Sequence, residues 1–204
     1  MSDHDSSKPA ATGRLVIISG PSGSGKSTVV GRLRKRCELP LGFSVSATTR
    51  SPREGEVDGR EYFFLSDAEF QAKRHAGEFL ECKQVFTLGH WYGTLADQVA
   101  TGLNAGNWVI LEIDVQGAIS VMGDDRYDPV SIFIHPGSMQ ELERRLRDRG
   151  TESETAIQSR LKSAGEEMNF LDRYQHEIIN DSVDGAVDAI CEVLKQSHKE
   201  HAAC

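Results

Sequence analysis

The residues with the clearest chemical meaning are the nine at positions 20–28, "GPSGSGKST". They match the pattern G-x-x-x-x-G-K-[ST], in which glycines let the backbone wrap a phosphate chain and direct N–H groups at it. In that pattern Lys26 supplies a cation for the β- and γ-phosphates, and the Ser27 hydroxyl can bind Mg²⁺. We therefore predict a site for a nucleoside triphosphate. The predicted contacts are Gly20, Ser22, Gly23, Ser24, Gly25, Lys26, Ser27 and Thr28.

The flanking residues have the pattern that such a motif needs. "RLVIIS" at 14–19 is an apolar, β-branched run typical of a buried strand, and the apolar residues between Lys26 and about Arg36 fall at helical spacing. An ordinary glycine-rich turn can also join a strand to a helix. The strand before the motif and the helix after it favour the phosphate-binding interpretation.

A second candidate lies in "SATTRSPREGEVDGREY", at 46–62, where Arg50, Arg53 and Arg60 accompany Tyr62 in a turn-rich segment. Several guanidinium groups beside a tyrosine hydroxyl suit a second phosphate group. By composition alone, the same segment also fits a solvated charged loop.

The rest of the chain alternates between buried strands and amphipathic helices, which predicts an α/β fold with a parallel sheet flanked by helices. Between about 46 and 94 this rhythm is interrupted, and we predict an inserted, mostly β subdomain with one helix near 67–77. Strands are predicted at 107–114, 129–135 and 177–181, and helices at 139–149 and about 185–195.

Composition excludes several classes of protein. The 204 residues carry a net charge of −8, which argues against a broad nucleic-acid-binding surface. No apolar run approaches the roughly 18 residues of a membrane span, and the first residues lack the pattern of a secretory signal. The four cysteines are scattered without a C-x-x-C pair, so we expect reduced thiols in a cytoplasmic protein.

Six blocks of the chain resemble the guanylate kinases in their order and approximate spacing: "GPSGSGKST", "FSVSATTRSPREGEVDGREYFF", "GEFLE", "YGT", "EIDVQGA" and "RLRDRGTE". The resemblance runs from about Gly13 to Lys195. The second block is the most specific, because other P-loop kinases share only the first. The resemblance implies transfer of a phosphoryl group from ATP to GMP, or dGMP, with Mg²⁺. It also implies a P-loop NTPase-type sheet with an inserted mixed β subdomain that binds GMP and a helical lid.

On this basis the chain is expected to divide into a disordered tail and one domain, followed by a frayed end. The tail is 1–12, the domain is 13–195 and the frayed end is 196–204. Within the domain, the core is 13–45 and 95–195, the GMP-binding insertion is about 46–94, and the lid is about 145–160.

The same resemblance implies which residues bind GMP. Guanine presents N1–H and N2–H₂ donors beside the O6 acceptor, so a carboxylate can accept two hydrogen bonds while a hydroxyl donates to O6. The family, and not the sequence alone, selects Glu81 over Glu78 for this carboxylate. The implied phosphate contacts are Arg50, Arg53, Tyr62 and Tyr92, and the implied guanine contacts are Ser46, Glu81 and Thr94.

The acidic pair in "EIDVQG" ends a predicted strand and should lie at the carboxyl edge of the sheet, beside the P-loop. We expect Asp114 to orient GMP or water bound to Mg²⁺, although an acidic residue at a strand end also fits a solvated turn. The family more often has aspartate at the place of Glu112, so Glu112 is left without a role.

Arginines of the expected lid would neutralise charge on the transferring phosphoryl group, together with Lys26 and Arg50. Arg145, Arg149 and Arg160 are the implied members, and Asn180 is a family-derived candidate near the adenine. Two alternatives remain at this point: a related P-loop kinase that acts on a ribose bisphosphate, and a guanylate-kinase-like interaction module. Such modules lack a working P-loop, whereas this chain has both Lys26 and Ser27.

Overall fold

The computed structural model describes residues 13–85, 89–148, 150 and 153–203. The expected tail at 1–12 and the candidate Arg149 lie outside the described residues. Among the described helices, none has both the length and the apolar character needed to cross a membrane.

A five-stranded parallel sheet forms the core, in the order β2-β7-β1-β8-β9. The first strand lies at its centre, because β1 pairs with β7 on one side and with β8 on the other. All five strands point the same way, so the loops at their carboxyl ends meet at one edge. The strands are β1 (Arg14–Ser19), β2 (Leu41–Phe43), β7 (Trp108–Glu112), β8 (Val130–His135) and β9 (His176–Ile179).

Helices cover both faces of this sheet. The side chains of β1 alternate between these two faces, and from Leu15 to Ile18 they are apolar and buried on both. Val16 and Ile18 face a cluster shared with the helices α1 and α7, whereas Leu15 and Ile17 face a cluster shared with α3 and α4. A strand buried on both faces needs the continuous apolar run that the sequence has at this position. These helices are α1 (Lys26–Arg36), α3 (Ala96–Asn104), α4 (Val115–Met122) and α7 (Val183–Ala203).

The inserted subdomain is a four-stranded mixed sheet in the order β4-β3-β6-β5. Here β3 pairs in parallel with β4, whereas β6 is antiparallel to both β3 and β5. The helix α2 closes one side with Phe70, which is fully buried and stacks on Phe79 at a centroid distance of 4.4 Å. The elements are β3 (Ala47–Thr48), β4 (Phe63–Phe64), α2 (Asp67–His75), β5 (Phe79–Val85) and β6 (His90–Leu95).

Two further helices, α5 (Met139–Asp148) and α6 (Glu154–Met168), pack against each other through a small apolar cluster. The cluster contains Leu142 and Leu146 from α5, with Ile157 and Ala164 from α6. The predicted lid falls where α5 ends and α6 begins.

The structure confirms the predicted fold class, and two of its differences from the sequence analysis have a clear physical reason. The strand β2 was not predicted, because it has only three residues and Gly42 at its centre gives no apolar alternation. The last helix does not end near Lys195 but continues to Ala203, so residues 196–203 of the expected frayed end are helical. Two features of these residues could not be predicted from their polar composition: Ser197 is buried, and the His198 ring packs edge to face against Trp108.

Candidate active site

The P-loop, residues 20–27, joins β1 to α1 at the carboxyl edge of the core sheet. Its glycines are required by close approaches as well as by backbone angles. A Cβ at Gly20 would lie 2.0 Å from the Ile134 carbonyl oxygen, and one at Gly25 would lie 2.5 Å from Asn180 Nδ2. Both glycines have positive φ, which disfavours any residue with a side chain. Glycines are therefore needed at these positions, because the loop packs too closely against its neighbours to leave room for a side chain.

Asn180 holds the loop from behind. Its side-chain nitrogen donates to the Ser24 carbonyl oxygen at 2.7 Å, and its own N–H donates to the His135 carbonyl oxygen at 2.8 Å. Asn180 is 3% exposed. The structure thus places this residue beneath the P-loop, where it fixes the backbone conformation.

Lys26 folds back on the loop, with Nζ 2.6 Å from the Gly20 carbonyl oxygen and 3.0 Å from that of Pro21. Burial lowers the pKa of Lys26, and the nearby carboxylates of Glu112, Glu167 and Asp114 oppose this effect. The loop therefore carries a desolvated cation at its centre, and three nearby carboxylates offset part of the cost of burying it.

The acidic pair at the end of β7 divides into two roles. Ser27 Oγ donates to Glu112 Oε1 at 2.5 Å, so the residue left without a role in the sequence analysis contacts the expected magnesium ligand. Asp114 caps α4 by accepting the Gly117 N–H at 2.8 Å, and its other oxygen lies 3.4 Å from Lys83 Nζ. The Ser27 hydroxyl and the Glu112 carboxylate offer the kind of oxygen ligand that Mg²⁺ prefers, so these two residues fit the ion.

On the opposite wall, β5 and β6 bring Glu81 and Thr94 together, with the Thr94 hydroxyl donating to Glu81 Oε1 at 2.7 Å. Burial raises the pKa of Glu81 to about 7, the Thr94 hydrogen bond opposes the shift, and Asp114 adds to it. A carboxylate that is costly to ionise in isolation is suited to accept hydrogen bonds from a ligand that brings its own donors.

Arg50 is 9% exposed and lies beside two tyrosines of the mixed sheet. Its Cζ atom is 5.0 Å from the centre of the Tyr62 ring, and Glu56 and, to a lesser extent, Tyr92 raise the pKa of its guanidinium. The two tyrosine rings meet edge to face at 5.9 Å. The Arg53 side chain is exposed on the same loop. Three of the four predicted phosphate contacts therefore form one cluster.

A single cavity of about 380 Å³ joins the P-loop to the mixed sheet. Groups from both candidate sites face it, so a triphosphate and a second substrate would meet there. The lining includes Gly20, Ser22, Lys26, Ser46, Tyr62, Glu81, Lys83, Tyr92, Glu112, Asp114 and Glu167.

The predicted lid arginines are described only in part. Arg145 Nη2 donates to the Asn180 carbonyl oxygen at 2.7 Å, and its Nε donates to Glu141 Oε1 at 2.7 Å. Arg145 therefore lies next to the support of the P-loop. Arg160 lies on α6.

The family of the chain can now be named. A sequence model described as guanylate kinase matches residues 12–197. The chain belongs to the guanylate kinase family. It is 66% identical over 190 residues to a guanylate kinase of Rhodopirellula baltica, covering 93% of this chain and 91% of that protein. It is 48% identical to a guanylate kinase of Caldanaerobacter subterraneus subsp. tengcongensis, covering 89% and 86% of the two chains.

A solved structure supports the same family assignment. The crystal structure of guanylate kinase from Anaplasma phagocytophilum matches with a TM-score of 0.74 and 33% identity, over 92% of this chain and 87% of that one. The family assignment accords with a cavity that has a P-loop on one wall and a buried carboxylate on the other.

The sequence analysis missed several residues of this guanylate kinase site. Lys83 and Glu167 line the cavity, and Glu112 contacts Ser27. One signal was available: Lys83 is two residues after Glu81, so it points to the same face of a strand. Glu167 lies outside the six blocks of resemblance, seven positions after Arg160, and the packing of α6 brings it to the cavity.

Proposed function

We propose that this chain carries out its family's reaction, the transfer of the γ-phosphoryl group of ATP to GMP, in the cavity between the P-loop and the mixed sheet. The observation that carries the proposal is the common cavity, which places Lys26 on one wall and Glu81 on the other. The P-loop groups are suited to bind a phosphate chain, and the groups of the mixed sheet are suited to bind a base with two adjacent donors.

The ATP phosphates would lie on the P-loop, where backbone N–H groups and the start of α1 favour negative charge. Lys26 would exchange its two carbonyl partners for phosphate oxygens. Ser27 and Glu112 would hold Mg²⁺, with Asp114 further along the same edge. The ion would supply charge neutralisation at the phosphates when bound.

GMP would lie against the mixed sheet. Glu81 would accept hydrogen bonds from guanine N1–H and N2–H₂, while the Ser46 and Thr94 hydroxyls complete the contact with the base. Adenine would place its N1 lone pair against the carboxylate, so we expect it to be rejected. Arg50, Arg53, Tyr62 and Tyr92 would bind the phosphate. We include dGMP as a substrate, because it shares the base and the phosphate with GMP.

No general base is needed, because the attacking oxygen of the GMP phosphate is already anionic at neutral pH. Positioning and charge neutralisation by Lys26, Arg50 and the arginines Arg145, Arg149 and Arg160 would provide the rate acceleration. Closure of the lid at about 145–160 would exclude water, so we expect little ATP hydrolysis without GMP. We further propose that the reaction takes place in the cytoplasm and requires no nucleic acid.

The test is ADP formation from ATP and Mg²⁺ with GMP, AMP, dTMP or ribose bisphosphate as acceptor. Wild type should turn over with GMP, and Glu81→Gln should lower kcat/KM for GMP by about 100-fold, because the carboxylate is matched to two guanine donors. The matched control is Glu78→Gln, an exposed carboxylate three residues away. Equal rates for the two variants would refute the base contact. Absence of acceptor-dependent turnover in wild type would instead favour a binding role.

A further inference from the structure

Glu56 is a charged residue of the GMP side to which the mechanism above gives no part. Its carboxylate accepts two hydrogen bonds from Arg50, from Nη1 at 2.6 Å and from Nη2 at 2.8 Å. The ion pair is largely buried, with 10% of the Arg50 side chain and 17% of the Glu56 side chain exposed. Removing one partner from a pair this well shielded from water would leave the other charge uncompensated, which costs more than in the solvated pairs on the helices.

The position of this carboxylate is fixed by the backbone. A tight turn brings Glu56 back toward Arg53, with the Glu56 N–H donating to the Arg53 carbonyl oxygen at 3.1 Å. Gly55 has a φ of +83° in this turn, which favours glycine. Glu56 Oε2 also accepts the Arg53 N–H at 2.8 Å. The turn therefore holds Glu56 independently of the Arg50 side chain.

The two bonds from Glu56 occupy one edge of the guanidinium. Both Nη1 hydrogens are committed, one to Glu56 and the other to the Ser51 carbonyl oxygen at 3.0 Å. A guanidinium has five N–H donors, and the edge formed by Nε and Nη2 is a second fork that matches a phosphate. The Tyr62 ring limits rotation of the group, since it lies 5.0 Å from Cζ. Arg50 is thus held through one fork, and the bonds to Glu56 and Ser51 leave its Nε unused.

We propose that Glu56 is a positioning residue for GMP: it holds Arg50 by one edge so that the Nε edge receives the GMP phosphate. This inference rests on the proposed function, because it takes Arg50 as a phosphate contact. The opposite hypothesis is that Glu56 competes with the phosphate for Arg50. The use of different edges favours positioning, since the carboxylate and the phosphate do not need the same donors.

The two hypotheses differ in the sign of one measurement, the KM for GMP in Glu56→Gln. Positioning predicts that this KM rises by about 10-fold, because the loss of a charged partner loosens the guanidinium. The KM for ATP and the inhibition constant of guanosine, which lacks the phosphate, should stay within about twofold of wild type. The matched control is Glu54→Gln, which removes the same charge from an exposed position in the same turn.

A KM for GMP that is unchanged or lower than in the control would overturn the proposal. Parallel weakening of guanosine would overturn it as well, because a general distortion of the mixed sheet moves both constants. A double-mutant cycle adds a second criterion. In an Arg50→Lys background, which has no fork to orient, Glu56→Gln should change the KM for GMP by less than about twofold. An equal effect in both backgrounds would exclude action through Arg50.

These outcomes are separate from those that test the function. If wild type fails to form ADP in the presence of GMP, the proposed function fails. If wild type is active and the Glu56 and Glu54 variants behave alike, only the positioning role fails.

Discussion

In the P-loop, the groups that would face a phosphate chain are mostly backbone N–H groups, and Asn180 of the core holds the loop from behind. In the mixed sheet, the corresponding groups are side chains, and other side chains hold them. Asn180 supports the first region through a carbonyl oxygen, whereas Glu56 and Thr94 support the second through Arg50 and Glu81.

This difference follows from what each region recognises. Every nucleoside triphosphate has the same phosphate chain, so a backbone cradle on a rigid sheet is sufficient. A particular base must be read by donors and acceptors of defined position, which only side chains supply. We therefore expect changes in the P-loop to affect the chemical step, and changes in the mixed sheet to affect the choice and affinity of the acceptor.

The largest expected effect tests the P-loop side. Lys26→Met removes the buried cation at the phosphates and should lower kcat by roughly 1,000-fold, because charge neutralisation dominates this kind of transfer. The control is Lys35→Met, on the exposed face of the same helix. Steady-state ADP formation measures both. A Lys26 variant with more than a tenth of wild-type kcat would contradict this account of the loop.

The second prediction concerns the free energy of unfolding, which the buried Glu81 carboxylate should lower at high pH. Burial raises the pKa of Glu81 from 4.5 to about 7, so between these values the folded protein binds a proton that the unfolded chain has released. The contribution of Glu81 to stability therefore falls as pH rises through this window. Glu81→Gln carries no charge, and we expect it to be more stable than wild type at pH 8 by roughly 1–3 kcal/mol.

Urea unfolding at pH 5 and pH 8 measures this difference. The advantage of the variant should shrink toward the lower pH, where the wild-type carboxyl is protonated. Glu78→Gln again serves as the control, and the same gain in that variant would remove burial as the cause.

A smaller effect is expected for the support of the P-loop. Asn180→Ala removes the donor to the Ser24 carbonyl oxygen and should raise the KM for ATP by about 10-fold, since one buried hydrogen bond is lost. The KM for GMP should not change, which separates the two regions directly. Asn169→Ala, an exposed asparagine at the end of α6, provides the comparison. A rise in both KM values would show that the regions are not independent.

The smallest effect is expected for Arg147, which resembles Arg50 in pairing with carboxylates but does so on the surface. It contacts Glu143 on its own helix and Glu154 on α6, and all three side chains are well exposed. Because solvent screens such pairs, Arg147→Gln should change kcat/KM by less than about twofold. Arg50→Gln in the same assay gives the contrast, and similar losses for both would remove the distinction between buried and surface pairs.

The sequence analysis succeeded where local pattern and motif coincide. The apolar run of β1 and the glycine-rich turn before α1 can both be recognised within about fifteen residues. It failed where the meaning depends on distant packing. Ser27 and Glu112 are 85 positions apart, so the hydrogen bond between them could not be predicted from local pattern.

The small elements show the same limit. A three-residue strand such as β2 has no period to detect, and its place at the sheet edge is set by pairing with β7. The proposed role of Glu56 could not be predicted either, because composition does not show which edge of a guanidinium is occupied.

The order of strands in the core sheet also determines when the protein can become active during synthesis. The central strand β1 is made first, but it pairs with residues that begin at Trp108 and Val130. The bond that supports the P-loop joins residues 156 positions apart. Such long-range pairings can form only after the later residues have been synthesised. The P-loop is thus translated well before the residue that supports it, so a nascent chain that ends before Asn180 lacks this hydrogen bond to the loop.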